Sequence, residues 1–224
     1  MILVLAVVIA CAVFALSLGR AMLSLDPAPL RLAGQVTERL EESGVTHPVT
    51  AVLLNFRGYD TLLEIAVLLL ALLGILAVSG NERSAPHGIA AAAQPRLQSL
   101  ARIVVPLMVL VAIYLLWAGA HRPGGAFQAG AVLASAGILL YLAGLLPAWS
   151  APGFRLRLGI SAGFLVFVVI AMMPLLFGGA LLQYPAGWAS ALIVAIEAGL
   201  SFSLSLILAG QFLWLPNEDE EAEE

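Results

Sequence analysis

The stretch of sequence that decides the fold is residues 188–214, WASALIVAIEAGLSFSLSLILAGQFLW. It is apolar over a length that can cross a bilayer as a helix, since about 20 apolar residues span the hydrocarbon core. It carries one charged residue, Glu197. Five more segments show the same pattern, residues 2–23, 61–79, 101–119, 126–147 and 158–181. Because backbone groups inside a bilayer find no water, such segments are stable there as helices. The sequence therefore predicts an all-α integral membrane protein with about six transmembrane helices.

The composition supports this prediction and excludes several classes of protein. Of the residues, 62% are hydrophobic and 11% are charged, whereas about 25% of a soluble domain is charged. The net charge of −4 mostly reflects an acidic tail, and no basic patch indicates a nucleic-acid partner. No phosphate-binding loop, dinucleotide fingerprint or Cys/His cluster is present in the sequence. We therefore expect no catalytic residues, no cofactor and no metal site.

Polar segments divide the chain into parts. The longest polar connection, residues 26–47, is predicted to be a water-exposed loop with a short surface helix. Residues 83–97 have the Gly, Pro, Ser and Ala composition of a linker. The predicted organisation is a two-helix module at 1–82, this linker, a four-helix module at 98–215 and an acidic tail at 216–224. Arg counts in the short loops favour a cytoplasmic location for both termini.

Acidic side chains in the second span are the first candidate site. Residues 55–64, NFRGYDTLLE, place Arg57, Asp60 and Glu64 on one face of a helix. We expect Arg57 and Asp60 to pair, which leaves Glu64 as the deeper acid. A charge near the middle of a membrane helix costs at least ~2.5 kcal/mol, so such an acid is a candidate for an ion or proton pathway. The alternative is a pair that only anchors the helix at the membrane interface.

The segment before these acids, residues 48–57, is predicted to be a separate short or re-entrant piece. Pro48 suits the first position of a helix, and Gly58 weakens a continuous helix. We therefore expect a break in the chain just before the second span.

A second candidate lies in the last span. Ser190, Ser201 and Ser205 fall on the same helical face as Glu197. One acid and three hydroxyls on one face can line a hydrated path for protons or cations, because a desolvated carboxyl group can gain and lose protons near neutral pH. The alternative is ordinary helix packing through serine hydroxyls.

The third candidate is the joint between the third and fourth spans, residues 120–128, AHRPGGAFQ. Pro123, Gly124 and Gly125 predict a tight turn that lets the backbone approach a neighbour closely. His121 titrates near physiological pH and is a candidate proton relay. A helix-capping or interface role for His121 is the alternative.

Two of these stretches resemble a known family. Residues 49–65, VTAVLLNFRGYDTLLEI, resemble the C-terminal end of MrpA, the large component of Mrp antiporters, a region that is a separate small E-type protein in membrane-bound hydrogenases. Residues 121–130, HRPGGAFQAG, resemble the signature turn of MrpB, the MnhB-like component. The first resemblance extends over residues 1–82 and the second over residues 98–215. The chain thus resembles a fusion of the two modules.

The resemblance implies a membrane-arm subunit of a multisubunit cation/proton (Na⁺/H⁺) antiporter in a bacterial or archaeal cell membrane. Its partners would be other membrane subunits of an Mrp-like or hydrogenase-like complex, and Na⁺ and H⁺ would be the transported ions. Two alternatives stay open. One is a scaffold that does not conduct ions, and the other is a membrane subunit of a hydrogenase-type redox-driven ion pump whose chemistry lies on partner chains.

The resemblance also assigns site residues. Asp60 and Glu64 match the family's Asp-Thr-x-x-Glu, His121 and Pro123 match its His and Pro, and Glu197 falls where MrpB has an acid in its last helix. The predicted ion or proton pathway consists of Asp60, Glu64, Glu197 and His121. The predicted supporting residues are Arg57, Thr61, Pro123, Gly124, Gly125 and Ser201.

Overall fold

Helices occupy every segment in which the sequence predicts a membrane span. The computed structural model describes residues 2–24, 32–78, 95–146, 153–185 and 187–214. Most of the predicted linker and the whole predicted acidic tail lie outside the described residues. The helices are α1 (Ile2–Leu23), α2 (Leu32–Glu38), α3 (Pro48–Ala51), α4 (Gly58–Val78), α5 (Pro95–Ala118), α6 (Ala126–Leu142), α7 (Phe154–Met172) and α8 (Ala189–Leu213). Short 3₁₀-helices lie at Leu40–Ser43 and Met173–Phe177, and a π-helix lies at Val52–Phe56. Within these ranges there is no strand, and the predicted all-α membrane fold is confirmed.

The helix lengths fit a multi-pass membrane protein. In the described part of the chain, α4, α5, α8 and α7 with its 3₁₀ extension are long and apolar enough to cross a bilayer. Helix α6 is apolar but has only 17 residues, fewer than the segment 126–147 predicts. It ends early because Gly144 adopts a left-handed conformation with a φ of 67°, a common way to stop a helix. Helix α7 tightens into a 3₁₀ turn at Pro174, whose ring cannot continue an α-helix.

The chain forms two compact units, residues 1–35 and residues 36–224. The first contains α1, a 22-residue apolar helix with Arg20 in its last turn. A cation there interacts favourably with the negative end of the helix dipole. The other long helices all belong to the second unit.

Helix α8 is the centre of the second unit and packs against α4, α5, α6 and α7. Its inward side chains are fully buried, among them Ile193, Ile196, Leu200 and Ile207. In a bilayer, lipid is as apolar as leucine, so close packing and hydrogen bonds must hold the helices together. Small residues supply that close packing here.

The contact between α7 and α8 shows how close the helices come. A Cβ on Gly163 of α7 would lie 2.6 Å from the Cβ of Ser203 and 2.7 Å from the carbonyl oxygen of Gly199, both on α8. The Ser203 hydroxyl donates a hydrogen bond across the contact to the carbonyl of Ile160. On the other side of α8, a Cβ on Gly130 of α6 would lie 2.9 Å from the Cβ of Leu204. Glycines on α6 and α7 therefore bring both helices to the backbone of α8.

The predicted break before α4 is confirmed. Pro48 is the first residue of α3, which continues directly into the π-helix. Arg57 leaves the helical conformation with a φ of −129°, and α4 begins at Gly58. The predicted surface helix in the preceding loop is confirmed as well, since α2 lies there with only exposed or half-exposed side chains.

Candidate functional site

A cavity of about 920 Å³ brings three of the predicted pathway residues together. Asp60 and Glu64 reach it from α4, and Glu197 reaches it from α8. Its remaining walls come from the α3 and π-helix segment and from residues 124–128. Glu197 lies far along the sequence from the other two acids, so only the fold places all three around one space. Most of the lining is apolar, which makes each polar group in it conspicuous.

Glu197 is the most enclosed of the acids. It is 3% exposed, and the backbone N–H of Ala126, the first residue of α6, donates a hydrogen bond to its carboxylate. The positive end of the α6 dipole favours a negative charge at this position. The second oxygen, Oε2, is buried and has no hydrogen-bond partner among the described residues. Buried polar atoms are nearly always paired, so an unpaired carboxylate oxygen beside a cavity makes Glu197 a candidate functional group.

Glycines make room for the Glu197 carboxylate. A Cβ on Gly125 would lie 2.7 Å from Oε1, and a Cβ on Gly119 would lie 3.1 Å from the same atom. Gly125 also has a φ of 110°, a backbone conformation that residues with a side chain rarely adopt. Gly124 is equally confined, because a Cβ there would lie 2.5 Å from the carbonyl oxygen of Leu115. The turn that the sequence predicts at Gly124 and Gly125 therefore encloses the carboxylate of Glu197, which belongs to another helix. We call this enclosure the seat of Glu197.

Asp60 and Glu64 have a more open environment. Arg57 and Asp60 form the predicted ion pair at 2.5 Å, with side chains that are 68% and 45% exposed. Glu64 lies about one turn further along α4 and is exposed. Among the described residues no basic side chain forms an ion pair with it. The predicted pair of Arg57 and Asp60 is confirmed, and the greater membrane depth of Glu64 stays a prediction.

The π-helix beside the cavity is held by side chains. Its wide turn lets the N–H of Arg57 bond the carbonyl of Val52 at 2.7 Å. The carbonyl of Leu53 accepts a hydrogen bond from the Thr61 hydroxyl at 2.7 Å, and that of Leu54 accepts one from Tyr184 at 2.7 Å. Burial raises the pKa of Tyr184, so this hydroxyl keeps its proton and remains a donor. Such π-turns are frequent at functional sites.

The end of α5 is capped by the segment before the π-helix. The carbonyl of Ala120 accepts hydrogen bonds from the N–H groups of Thr46 and His47, each at 3.1 Å, and the Thr50 hydroxyl bonds the carbonyl of Gly119. Carbonyls at the end of a helix lack partners within it. These bonds supply partners and join the chain before α4 to the turn that holds Glu197.

His121 lies outside this cavity. Its side chain is exposed, its Nδ1 is 3.0 Å from the Thr46 hydroxyl, and its ring meets the edge of Trp117 with ring centres 6.2 Å apart. Neither His121 nor Pro123 is among the residues that line the cavity. The interface role that the sequence left open for His121 agrees with these contacts.

Two of the serines on the face of Glu197 bond within their own helix. Ser201 donates to the carbonyl of Glu197 at 2.8 Å, and Ser205 donates to that of Phe202 at 2.7 Å. Both bonds stay within α8, and neither residue, nor Ser190, lines the cavity. A serine inside a helix readily bonds a carbonyl of the preceding turn. A path along these hydroxyls stays a prediction.

Two polar lining residues were missed from the sequence, Thr50 and Gln128. Thr50 lies in a run of otherwise apolar residues, and Gln128 follows the glycine turn. Nothing in the local pattern distinguishes either from ordinary helix residues. Their positions depend on how the segment before α4 packs against the turn after α5.

With this geometry established, the comparisons with known proteins identify the family. A family model described as a domain related to the MnhB subunit of Na⁺/H⁺ antiporters matches residues 96–212, more than half of the chain. The chain belongs to this MnhB-related family. The match covers α5 to α8 and therefore includes Glu197 and the glycine turn that seats it.

Curated relatives agree with this family. A probable K⁺/H⁺ antiporter A/B subunit of Rhizobium meliloti (strain 1021) is 29% identical over an alignment of 143 positions, which covers 53% of this chain and 14% of the relative. A putative antiporter subunit mnhB2 of Staphylococcus aureus (strain Newman) is 29% identical over an alignment of 118 positions, which covers 48% of this chain and 84% of the relative. The chain therefore spans only about a seventh of the length of the Rhizobium protein.

Two solved structures have the same fold. A chain of the Mrp complex from Dietzia sp. DQ12-45-1b superposes with a TM-score of 0.63 and 22% identity, over 96% of this chain and 26% of that one. A chain of the membrane-bound sulfane sulfur reductase, an archaeal respiratory membrane complex, also has a TM-score of 0.63, with 23% identity over 95% of this chain and 99% of that one. At these identities the likeness establishes the fold, which is that of chains in multisubunit membrane complexes.

Proposed function

We propose that this chain is a membrane subunit of a multisubunit cation/proton antiporter and that its acids take part in moving protons or Na⁺. The observation that supports this most is the cavity shared by Asp60, Glu64 and Glu197. The protein does no covalent chemistry of its own. Its assembly partners are the other membrane subunits of the complex.

Glu197 is the proposed central group. Its buried surroundings favour the neutral acid, whereas the N-terminus of α6 favours the carboxylate. Each protonation state therefore has a source of stabilisation, which suits a group that exchanges a proton. The unpartnered Oε2 gives that proton a place to bind. Glu64, on the open side of the same cavity, is the proposed next group in the path, with Asp60 held beside it by Arg57.

The experiment is Na⁺-dependent proton exchange in everted membrane vesicles that carry the whole complex, with assembly checked on native gels. Glu197→Gln and Glu64→Gln keep the size and polarity of the side chains but remove the ionisable group. We expect exchange to fall at least tenfold in each variant while the complex stays assembled. Glu42→Gln is the matched control, since Glu42 is an exposed acid that does not line the cavity.

Unchanged exchange in assembled Glu197→Gln and Glu64→Gln complexes would contradict the conducting role. The chain would then be a scaffold that positions the conducting subunits. Loss of the complex itself on native gels would point to the same scaffold role.

A redox-driven ion pump is the second candidate. It is favoured by the sulfane sulfur reductase chain, which this chain matches over 99% of that chain's length. The two candidates differ in their partners, because a redox-driven complex needs subunits with redox centres. Mass spectrometry of the purified complex separates them: antiporter subunits alone support the first candidate, and subunits with iron–sulfur centres support the second.

We also propose that the chain unites the two modules at 1–82 and 98–215, lies in a bacterial or archaeal cell membrane and has both termini in the cytoplasm. The name of the Rhizobium relative, which joins A and B, supports the union, as does the likeness of nearly the whole chain to about a quarter of a longer Mrp-complex chain. A fluorescent protein fused to the C-terminus should fluoresce if that end is cytoplasmic. A dark fusion that is nevertheless inserted in the membrane would contradict the orientation.

A further inference from the structure

Glu64 is an exposed acid on a membrane helix that has no ionic partner among the described residues. It lies in the first third of α4, a helix apolar enough to cross a bilayer, yet its side chain is exposed. The nearby Arg57 is already paired with Asp60. An acid facing lipid in a membrane helix costs several kcal/mol, which is why such residues almost always face protein or water. Something outside the second unit must therefore cover this side of α4.

The surface around Glu64 has the form of a helix-docking face. With 3.6 residues per turn, Glu64, Val67, Ala71 and Gly74 lie within about 100° of one another around α4. All are exposed, and no atom beyond the adjoining backbone of α4 lies within 4 Å of where a Cβ on Gly74 would be. Ala71 and Gly74 put little side-chain volume on this face, and small residues of this kind let two membrane helices approach closely. We call these four residues the α4 face.

The cavity opens along this face. Leu63 and Val67, which line the cavity, are 63% and 62% exposed. The wall that carries Glu64 is therefore incomplete, whereas the wall that carries Glu197 is closed by α6. The Glu64 carboxylate determines which groups the covering surface must have, because a carboxylate at membrane depth is stabilised by a cation or by hydrogen-bond donors.

We propose that a transmembrane helix of another subunit docks on the α4 face and places a Lys or Arg side chain opposite Glu64. This inference rests on the proposed function, since it requires a multisubunit complex. It specifies which surface of the chain meets that partner, and what the partner carries there. The docked helix closes the cavity, and its basic group balances the acid that Arg57 leaves unneutralised.

Photo-crosslinking in the assembled complex tests the proposed helix contact while Glu64 itself is left unchanged. We would introduce p-benzoylphenylalanine at Val67, and at Leu73 as the matched control. Leu73 lies about 180° from Glu64 on the same helix and is 50% exposed. We expect Val67 to crosslink to a transmembrane peptide of another subunit with a Lys or Arg within two turns of the crosslinked residue. Leu73 should not crosslink to that peptide.

Any of three crosslinking results at Val67 would overturn the proposal. The first is adducts with lipid alone, and the second is adducts with this chain alone, including α1. The third is adducts with a partner segment that carries no basic residue.

A second measurement uses native gels. Glu64→Lys should reduce the amount of assembled complex at least tenfold, because it places two cations opposite each other. Glu64→Gln should reduce it no more than threefold. Equal amounts of complex with Lys and Gln would contradict the charge complementarity.

Measuring ion exchange as well distinguishes failure of the docking proposal from failure of the proposed conducting role. A Val67 crosslink to a basic partner helix, together with normal exchange in Glu64→Gln, would support the docking but remove Glu64 from the ion path. Adducts only with lipid, together with lost exchange, would overturn the docking while the conducting role of Glu64 stands.

Discussion

Glu197 and Glu64 border the same cavity but are held in opposite ways. Glu197 is closed in by the turn at Gly124 and Gly125 and accepts a hydrogen bond from the first amide of α6. Glu64 stands on an open helix face without an ionic partner among the described residues. The chain thus completes the environment of one acid and leaves the other for a neighbour to complete. The difference predicts that the two sides of the cavity respond differently to small changes.

The largest effect is expected where the closed side has least room. Gly125→Val would force a side chain into a φ of 110° and place its Cβ 2.7 Å from Oε1 of Glu197. Backbone strain and overpacking each cost about 1–3 kcal/mol, so we expect the free energy of unfolding to fall by about 3 kcal/mol or more. Native gels should show little assembled protein.

The control for this prediction is Gly137→Ala, because no atom beyond the adjoining backbone of α6 lies within 4 Å of a Cβ at Gly137. Alanine there should be neutral or stabilise the helix by about 0.5–1 kcal/mol. If Gly125→Val assembled as well as Gly137→Ala, the seat around Glu197 would have to be looser than its contacts indicate.

Shortening each acid by one methylene gives the sharpest comparison. In Glu197→Asp the carboxylate would withdraw from the Ala126 amide in a site that fits its length, so we expect Na⁺-dependent proton exchange to fall at least tenfold. A tenfold loss corresponds to about 1.4 kcal/mol of barrier. In Glu64→Asp the carboxylate is not fitted by this chain's own backbone, and a long Lys or Arg side chain of the docked helix can follow it, so exchange should remain within about threefold of wild type.

Exchange measured in vesicles with equal amounts of assembled complex checks this prediction. Equal losses in Glu197→Asp and Glu64→Asp would mean that both acids are held in fitted sites. The contrast between the two sides of the cavity would then be wrong.

The sequence predicts the closed and the open side to different extents. Apolar length alone locates the helices, and Pro48 and Gly58 locate the break before α4, because these residues act on the backbone directly. The spacing of Arg57 and Asp60 predicts their ion pair for the same local reason. The glycines after Pro123 predict a tight turn, but not what the turn holds, since the contact with Glu197 joins segments far apart in sequence.

Other features have no local signature. The π-helix at Val52–Phe56 depends on the hydroxyls of Thr61 and Tyr184 reaching its carbonyls, and Tyr184 comes from a loop far along the chain. The serine hydroxyls of α8 can bond either their own helix or a neighbour, and the period of the helix does not distinguish the two. Ser203, which was not on the predicted face, is the one that reaches α7.

A moderate effect is expected at the junction between the two sides. Thr50 lines the cavity and donates to the carbonyl of Gly119, next to the seat of Glu197. Thr50→Val keeps the shape but removes the donor, which should cost about 1 kcal/mol and lower the thermal stability of the protein in the solubilised complex. Thr50→Ser keeps the hydroxyl and should lie closer to wild type. A Thr50→Val variant as stable as wild type would show that this hydrogen bond does not contribute to stability.

The smallest effects are expected inside α8, where two serines two residues apart differ in their acceptor and in their burial. The hydroxyl of Ser203 bonds a carbonyl of α7, whereas that of Ser205 bonds a carbonyl of its own helix. Hydrogen bonds between membrane helices contribute about 0.6 kcal/mol on average, so Ser203→Ala should lower the thermal stability of the solubilised complex slightly. Ser205→Ala loses a bond that competes with the helix backbone and should leave stability unchanged. Equal losses would mean that neither hydroxyl contributes through its acceptor, and the closeness of α7 and α8 would then depend on Gly163 alone.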